Sequence, residues 1–210
     1  MADNIKVELH EVEAYYSRKI REFGETPKGV DWNDQFGQSL RFMELLKVVN
    51  TDNAFSINDL GCGYGALLEL LISSYEKFER YFGIDISDEM IVAATKKWRH
   101  IEKASFHKLD EFNPVADYCI GSGIFNVKLN CPSDIWLNYI YDTLDKMNEL
   151  SLKGFSFNCL TIYSDSWRMN DRLYYADPLT LFDLCKKKYS KNVALLHDYG
   201  LFEFTIVVKK

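Results

Sequence analysis

The sequence predicts a single α/β domain: a doubly wound, mostly parallel sheet with helices on both faces, closed by an antiparallel hairpin. Three observations carry this. Between Phe55 and Lys187, apolar runs of strand length alternate with amphipathic helical stretches, the pattern of βαβ units. A glycine-rich turn, Gly61-Cys62-Gly63-Tyr64-Gly65, stands between the first such strand and the helix after it. At the C-terminus, two apolar runs flank His197-Asp198-Tyr199-Gly200, and a hairpin there cannot be parallel. The 210 residues suffice for one full core but not for two generous domains. Residues 1–210 are therefore read as one domain, with the helices of residues 1–50 forming part of a lid and residues 51–210 the sheet-bearing core.

The elements follow in order. Val7 to Arg21 has helical apolar spacing through Val12, Tyr15, Tyr16 and Ile20, and Gly24 ends it. Thr26 to Asn33 is a turn-rich connector. A second helix fits Gln35 to Val49, with Leu40, Met43, Leu45 and Leu46 turned inward. Phe55 to Leu60 reads as a buried strand, Ala66 to Tyr75 as a helix and Tyr81 to Asp85 as a strand. Ser87 caps a helix through Trp98, with acids in its first turn. Ala104 to Lys108 and Asp117 to Ile120 are strands. A long helix spans Ser133 to Leu150, with Ile135, Tyr139, Ile140, Leu144 and Met147 inward. Gly154 to Leu160 is a strand, and Asp177-Pro178 opens a helix through Lys187. One long polar loop, Tyr163 to Asp177, is expected to cover something.

Composition excludes several classes. No apolar run reaches the length of a membrane span, and the polar start, Met1 to Lys6, lacks the features of a secretory signal. The five cysteines, Cys62, Cys119, Cys131, Cys159 and Cys185, are scattered without a CxxC pair. That favours buried thiols in a reducing compartment, a cytoplasmic location and no metal site. The formal net charge is −6, whereas a polyanion-binding surface shows as a basic excess. The basic runs at Lys96 to Arg99 and Lys186 to Lys188 fall at predicted helix ends, where cations suit the dipole. No nucleic-acid partner is expected, and oligomeric state is left open.

The glycine turn carries the chemistry. It lies at the carboxyl edge of the first strand, where open α/β sheets bind ligands. Glycines there permit sharp turning and close backbone approach, and the helix start offers free N–H groups. Asp85, at the end of the next strand, is placed to accept hydrogens from a ribose. Gly61, Gly63 and Ala66 also fit the dinucleotide pattern G-x-G-x-x-G/A, so an NAD(P)-dependent oxidoreductase remains an alternative, as does a non-catalytic nucleoside-binding module. Three features favour a cationic methyl donor. Asp59 precedes the first glycine, where a carboxylate suits an amino-acid cation and repels a pyrophosphate. The turn follows two helices instead of opening the fold. No segment is left for a dehydrogenase substrate domain.

Asp59-Leu60-Gly61-Cys62-Gly63-Tyr64-Gly65 resembles motif I of class I S-adenosylmethionine-dependent methyltransferases. Gly83-Ile84-Asp85-Ile86-Ser87 with Met90 is similar to that family's ribose-binding strand end. Leu109-Asp110-Glu111-Phe112 is similar to its adenine-contacting segment, and Asp117 to Asn126 to its fourth strand and active-site loop. The resemblance spans about Asp31 to Lys210. It implies a seven-stranded Rossmann-like sheet and S-adenosylmethionine as cofactor, with S-adenosylhomocysteine as product. The implied cofactor site comprises Asp59, Gly61, Gly63, Gly65, Asp85, Ile86, Met90, Asp110, Glu111, Ser122 and Gly123.

Tyr16, Trp32 and Phe125 are candidates to hold a sulfonium by cation–π attraction, with Phe125 also facing the acceptor. The acceptor lid is assigned to the N-terminal helix, the Gly29-Val30-Asp31-Trp32 connector and the Tyr163 to Asp177 loop. Tyr163, Arg168, Tyr174 and Tyr175 are the candidate acceptor contacts, since aromatics with arginines suit a sugar or a phosphorylated small molecule. His197 with Asp198, on the terminal hairpin, is the candidate general base. Gly121-Ser122-Gly123-Ile124-Phe125 stands where base-amine methyltransferases carry Asp/Asn-Pro-Pro-aromatic. In whole-chain character the sequence is similar to small bacterial methyltransferases of capsule and surface-polysaccharide biosynthesis. That implies O-methylation of a small polar acceptor, a sugar or a phosphorylated or phosphoramidate intermediate.

Overall fold

A computed structural model describes residues 2–109 and 114–210, with side chains from residue 9 onward. Asp110 and Glu111 lie outside the described residues. Six α-helices are present among them: α1 (Ala2–Phe23), α2 (Gln35–Leu45), α3 (Ala66–Ser74), α4 (Asp88–Trp98), α5 (Ser133–Glu149) and α6 (Pro178–Lys188). The strands are β1 (Phe55–Leu60), β2 (Phe78–Asp85), β3 (Ala104–Lys108), β4 (Ala116–Gly121), β5 (Ser151–Thr161), β6 (Tyr175–Ala176), β7 (Asn192–Leu196) and β8 (Glu203–Lys209). They form one sheet in the order β3-β2-β1-β4-β5-β8-β7. The first five run parallel, and β8 is antiparallel to both β5 and β7. The expected architecture stands, with one addition. Within the loop after β5, the two-residue strand β6 pairs with Leu160 and Thr161, giving eight strands where seven were expected.

Strand periodicity divides the core. Along β4, Tyr118 and Ile120 pack on one face with β1's Ile57 and α3's Leu67, Leu68 and Leu71, while Cys119 packs on the other with Trp136, Ile140, Leu144 and Met147 of α5. Successive side chains of a strand point to opposite faces, so each central strand is buried twice. Trp136 faces inward although the sequence did not single it out, whereas Met43 is exposed instead of inward. The two basic runs end α4 and α6 as anticipated.

The N-terminal helix completes the fold at an unusual place. β3 and β4 are parallel and separated in the sheet by β2 and β1, yet only residues 109–115 lie between them in sequence. A helical crossover usually takes a dozen residues or more. α1 packs beside α4 and α5, and its Val12 joins the cluster of Leu60, Ile84, Cys119 and Phe125. Leu9, Val12, Tyr16 and Ile20 recur at helical spacing to make its inner stripe. Ser17, buried in the middle of α1, bonds the hydroxyl of Ser87 at 2.8 Å and Glu89 at 2.6 Å, and Arg21 pairs with Glu89. Ser87 is also the cap of α4, accepting from the Met90 N–H at 3.3 Å, so α1 is tied to the start of α4. No helix among the described residues is long and apolar enough to cross a membrane.

Gly65 shows what the third glycine of the turn does. Its φ is +79°, and a Cβ would lie 2.6 Å from Trp98 Nε1 and 3.1 Å from Phe106. Gly65→Ala is expected to destabilise the fold by about 2–5 kcal/mol, adding left-handed strain to overpacking. A fall of roughly 10 °C in Tm would register this; an unchanged Tm would mean that Trp98 moves aside freely.

Candidate active site

The site is built where β1 ends. Gly61 and Cys62 donate their N–H groups to the Ile84 carbonyl, at 2.7 and 3.1 Å, fastening the turn to the end of β2. Gly61 and Gly63 have φ of +73° and +55°, and a Cβ on either would meet a neighbour: Ile124 Cγ2 at 2.3 Å, Val30 Cγ1 at 2.7 Å. Only glycine meets both demands. Ile124 belongs to the loop after β4 and Val30 to the connector between α1 and α2, so the turn is where three segments converge.

Two carboxylates flank it. Asp85 accepts from the Gly63 N–H at 2.8 Å through one oxygen and from the Ser87 N–H at 2.9 Å through the other. The Ile86 backbone adds a third interaction, which leaves about one of the carboxylate's roughly four acceptor directions open. Burial holds the Asp85 carboxyl above the usual range, against the pull of its backbone donors. Asp59 is only 2% exposed and accepts from the Tyr81 hydroxyl at 2.5 Å. Burial first, then the nearby Asp85 charge, push its pKa up to about 7, with the Tyr81 bond pulling the other way.

Above the turn opens a cavity of about 550 Å³. Of the residues singled out in the sequence, Tyr16, Trp32, Asp59, Gly61, Gly63, Asp85, Ile86, Met90, Ser122 and Gly123 line it. The hydroxyl oxygen of Ser122 is buried with no hydrogen-bond partner among the described residues. Gly65 does not line the cavity; it packs against Trp98 and Phe106 beneath.

The acceptor and base assignments fare differently. Phe125 is fully buried, held edge-on to Phe157 at 5.7 Å, and its carbonyl accepts from Trp136 Nε1 at 2.9 Å. It is a core residue. Tyr163 and Arg168 are exposed, and Arg168 covers the rings of Trp167 and Phe202 at 4.5 and 5.0 Å. Tyr174 packs on the core, and the Tyr175 hydroxyl accepts from the Asn170 N–H at 3.1 Å. None of the four lines the cavity, because the short β6 draws their loop against β5, and only Leu173 of that loop reaches in. His197 and Asp198 are exposed, with the His197 ring against Tyr163 and Phe204, each at 6.0 Å. The hairpin connection lies outside the cavity, which removes these two as a base placed at the reacting atoms.

Other residues stand where those were expected. Arg41 of α2 donates to Glu203 of β8 through Nε, at 3.0 and 2.9 Å, and through Nη2 at 2.6 Å. Glu203 also accepts from Asn158 Nδ2 at 2.5 Å, and Asn158 Oδ1 accepts from the Gly123 N–H at 2.7 Å. The Arg41 guanidinium covers the Trp32 ring at 4.0 Å, so the cation–π position expected at Trp32 is filled by the protein's own arginine. Gln38, one turn before Arg41 on α2, and Asn126, whose Nδ2 lies 3.6 Å from where a Cβ on Gly123 would stand, also line the cavity. The signal that could have found Glu203 is its place as a lone acid in the apolar run Leu201 to Val208.

Comparisons with known proteins agree with this geometry. The profile of a family described as a methyltransferase domain matches residues 57–131, from β1 through the loop after β4. Among solved structures, N-methyltransferase NodS from Bradyrhizobium japonicum WM9, in complex with S-adenosylhomocysteine, superposes with a TM-score of 0.66 at 14% identity, covering 94% of this chain and 97% of that one. The methyltransferase domain of bacterial CtHen1-CN gives 0.59 at 17% identity, over 82% and 99% of the two chains. These two share the fold. A protein of Mycobacterium tuberculosis (strain ATCC 25618 / H37Rv) named "Putative methyltransferase Rv1506c" is 54% identical over 165 residues, 79% of this chain and 99% of its own. With that identity over most of its length, and the glycine turn inside the matched domain, the chain belongs to the methyltransferase family.

Proposed function

We propose that the protein methylates a small polar acceptor, at oxygen, using S-adenosylmethionine. The observation that carries the donor assignment is the pairing of the glycine turn with two buried carboxylates on one cavity wall. The residues fit the donor. The cavity is within the size range of small-molecule sites. Asp85 has acceptor capacity left for a ribose hydroxyl, and the buried Ser122 hydroxyl has no hydrogen-bond partner among the described residues. Asp59 suits the donor's ammonium, whose charge would offset the burial that opposes ionisation there. A pyrophosphate on the turn would lie beside the buried Asp59 carboxyl, whose charge would repel it, and this counts against the oxidoreductase reading.

When bound, S-adenosylmethionine would supply an electrophilic methyl group: the acceptor oxygen would take the methyl, sulfur would keep the C–S electron pair, and the oxygen's proton would pass to water once the C–O bond had formed. The chain's part is alignment and exclusion of water. Gly61, Cys62, Gly63 and Asp85 fix the nucleoside end. Tyr16, Val12 and Leu9 of α1 and Trp32 of the connector wall the cavity, so the N-terminal segment serves as lid. Glu203, engaged by Arg41 and Asn158, braces the acceptor end. The acceptor is a sugar or a phosphorylated intermediate of a bacterial surface polysaccharide; the sequence resemblance supports this.

Incubation with methyl-labelled donor and a panel of sugars and sugar phosphates is the test. Label transfer that is lost in Asp85→Ala is the expected result. Donor binding without transfer to any acceptor would favour a non-catalytic nucleoside-binding module.

A further inference from the structure

The acceptor end of the cavity distinguishes between the two acceptor classes just named. Arg41 and Lys146 are the cations lining the cavity among the described residues; the Arg41 side chain, beside Trp32, is 12% exposed against 2% for Glu203. Three hydrogen bonds join the two groups, and the flat face of the guanidinium lies on Trp32. The charge is therefore cancelled at contact distance, and two of the directions from which an anion could approach are taken. A phosphate placed here would have to share Arg41 with a buried carboxylate. Glu203 takes the Nε–Nη2 edge, one of the two edges through which a guanidinium can grip a phosphate in bidentate fashion, and a phosphate on the other edge would still lie close to the Glu203 charge.

The neutral donors at this end are differently placed. Asn126 is 6% exposed and Gln38 is 4% exposed, and both line the cavity. Asn126 uses Oδ1 to accept from the Leu160 N–H at 3.1 Å. Gln38 uses Oε1 to accept from the Tyr64 hydroxyl at 3.5 Å. No hydrogen bond runs from Asn126 Nδ2 or Gln38 Nε2 to any other described residue. The Asn126 oxygen is held by the backbone and the Gln38 oxygen lies at the long limit of a hydrogen bond; neither NH₂ is among the buried atoms that lack a partner, so both remain accessible as donors.

We infer that Asn126, Gln38 and the neutralised Arg41–Glu203 pair, beside the Trp32 ring, form an acceptor subsite for an uncharged, hydroxyl-bearing molecule of sugar size. The two amides donate to its oxygens, and phosphorylated acceptors are rejected. This rests on the donor assignment above. Asn158 ties the pair to the Gly123 backbone, so the subsite is registered against the loop that faces the donor.

Ligand-observed saturation-transfer NMR on protein saturated with S-adenosylhomocysteine tests it, with methyl glucoside, methyl rhamnoside, glucose 6-phosphate and inorganic phosphate as probes. The neutral glycosides should bind the wild type and the phosphates should not. Asn126→Asp keeps the acceptor for Leu160 and removes the donor; it should weaken glycoside binding about tenfold, as expected for a lost buried hydrogen bond, with S-adenosylhomocysteine affinity unchanged. Glu203→Gln frees the Arg41 charge and should make inorganic phosphate bind where the wild type does not. Phosphate binding to the wild type that Arg41→Gln abolishes would overturn the proposal, as would failure of both glycosides to bind. Failure of S-adenosylhomocysteine itself to bind would instead strike at the donor assignment.

Discussion

Gly61→Val is expected to weaken S-adenosylhomocysteine binding by about 100-fold or more while the chain still folds, a change of roughly 2.7 kcal/mol. Two effects combine. At φ of +73° a β-branched residue is strained. Its Cβ would also fall 2.3 Å from Ile124 Cγ2, so the loop after β4 must retreat and carry Ser122 and Gly123 with it. The sequence alone suggests a simpler mechanism, a side chain blocking the ligand. The structure locates the first collision on the protein's own loop. Gly61 itself is exposed, so the damage should be local: circular dichroism unchanged and calorimetric binding lost. Binding within a few-fold of wild type would show that the turn does not hold the donor.

Asp59→Asn should separate stability from function. The Asp59 pKa is pushed up to about 7, mainly by burial, against about 3.9 in an unfolded chain. The folded state therefore holds this proton more tightly. The associated stability is fully present below about pH 4 and is lost as pH rises through 7. Asparagine keeps an oxygen for the Tyr81 hydroxyl and carries no charge. The variant should thus be more stable than wild type at pH 8, by on the order of 4 kcal/mol from a three-unit shift, with the difference vanishing near pH 4. S-adenosylhomocysteine should bind the variant more weakly, and wild-type affinity should fall below about pH 7 as Asp59 takes up its proton. Denaturant melts of both proteins across that range would check this. A variant no more stable at pH 8 would mean that the buried carboxylate carries no such cost.

The donor side was legible in the sequence because its requirements are local. A left-handed turn between strand and helix calls for glycine within a few residues, and Asp85 follows at the end of the next strand. The central strands read clearly because burial on both faces leaves continuous apolar runs such as Phe155 to Leu160. The acceptor side is a property of tertiary structure. Arg41 and Glu203 are 162 positions apart, and neither sits in a recognisable pattern. The loop from Tyr163 to Asp177 looked like a lid because its aromatics and arginines are conspicuous. Two residues of β6, too short to show periodicity, turn it back onto β5. His197 drew attention because histidine is the usual base near neutral pH, but residue type does not say on which side of a hairpin the cavity lies.

The most direct test of the central claim is a calorimetric titration of the purified protein with S-adenosylhomocysteine, with NADH in parallel. The glycine turn, Asp59 and Asp85 predict micromolar binding of S-adenosylhomocysteine and none of NADH. Binding of NADH alone would contradict the donor assignment and, with it, the acceptor subsite built upon it.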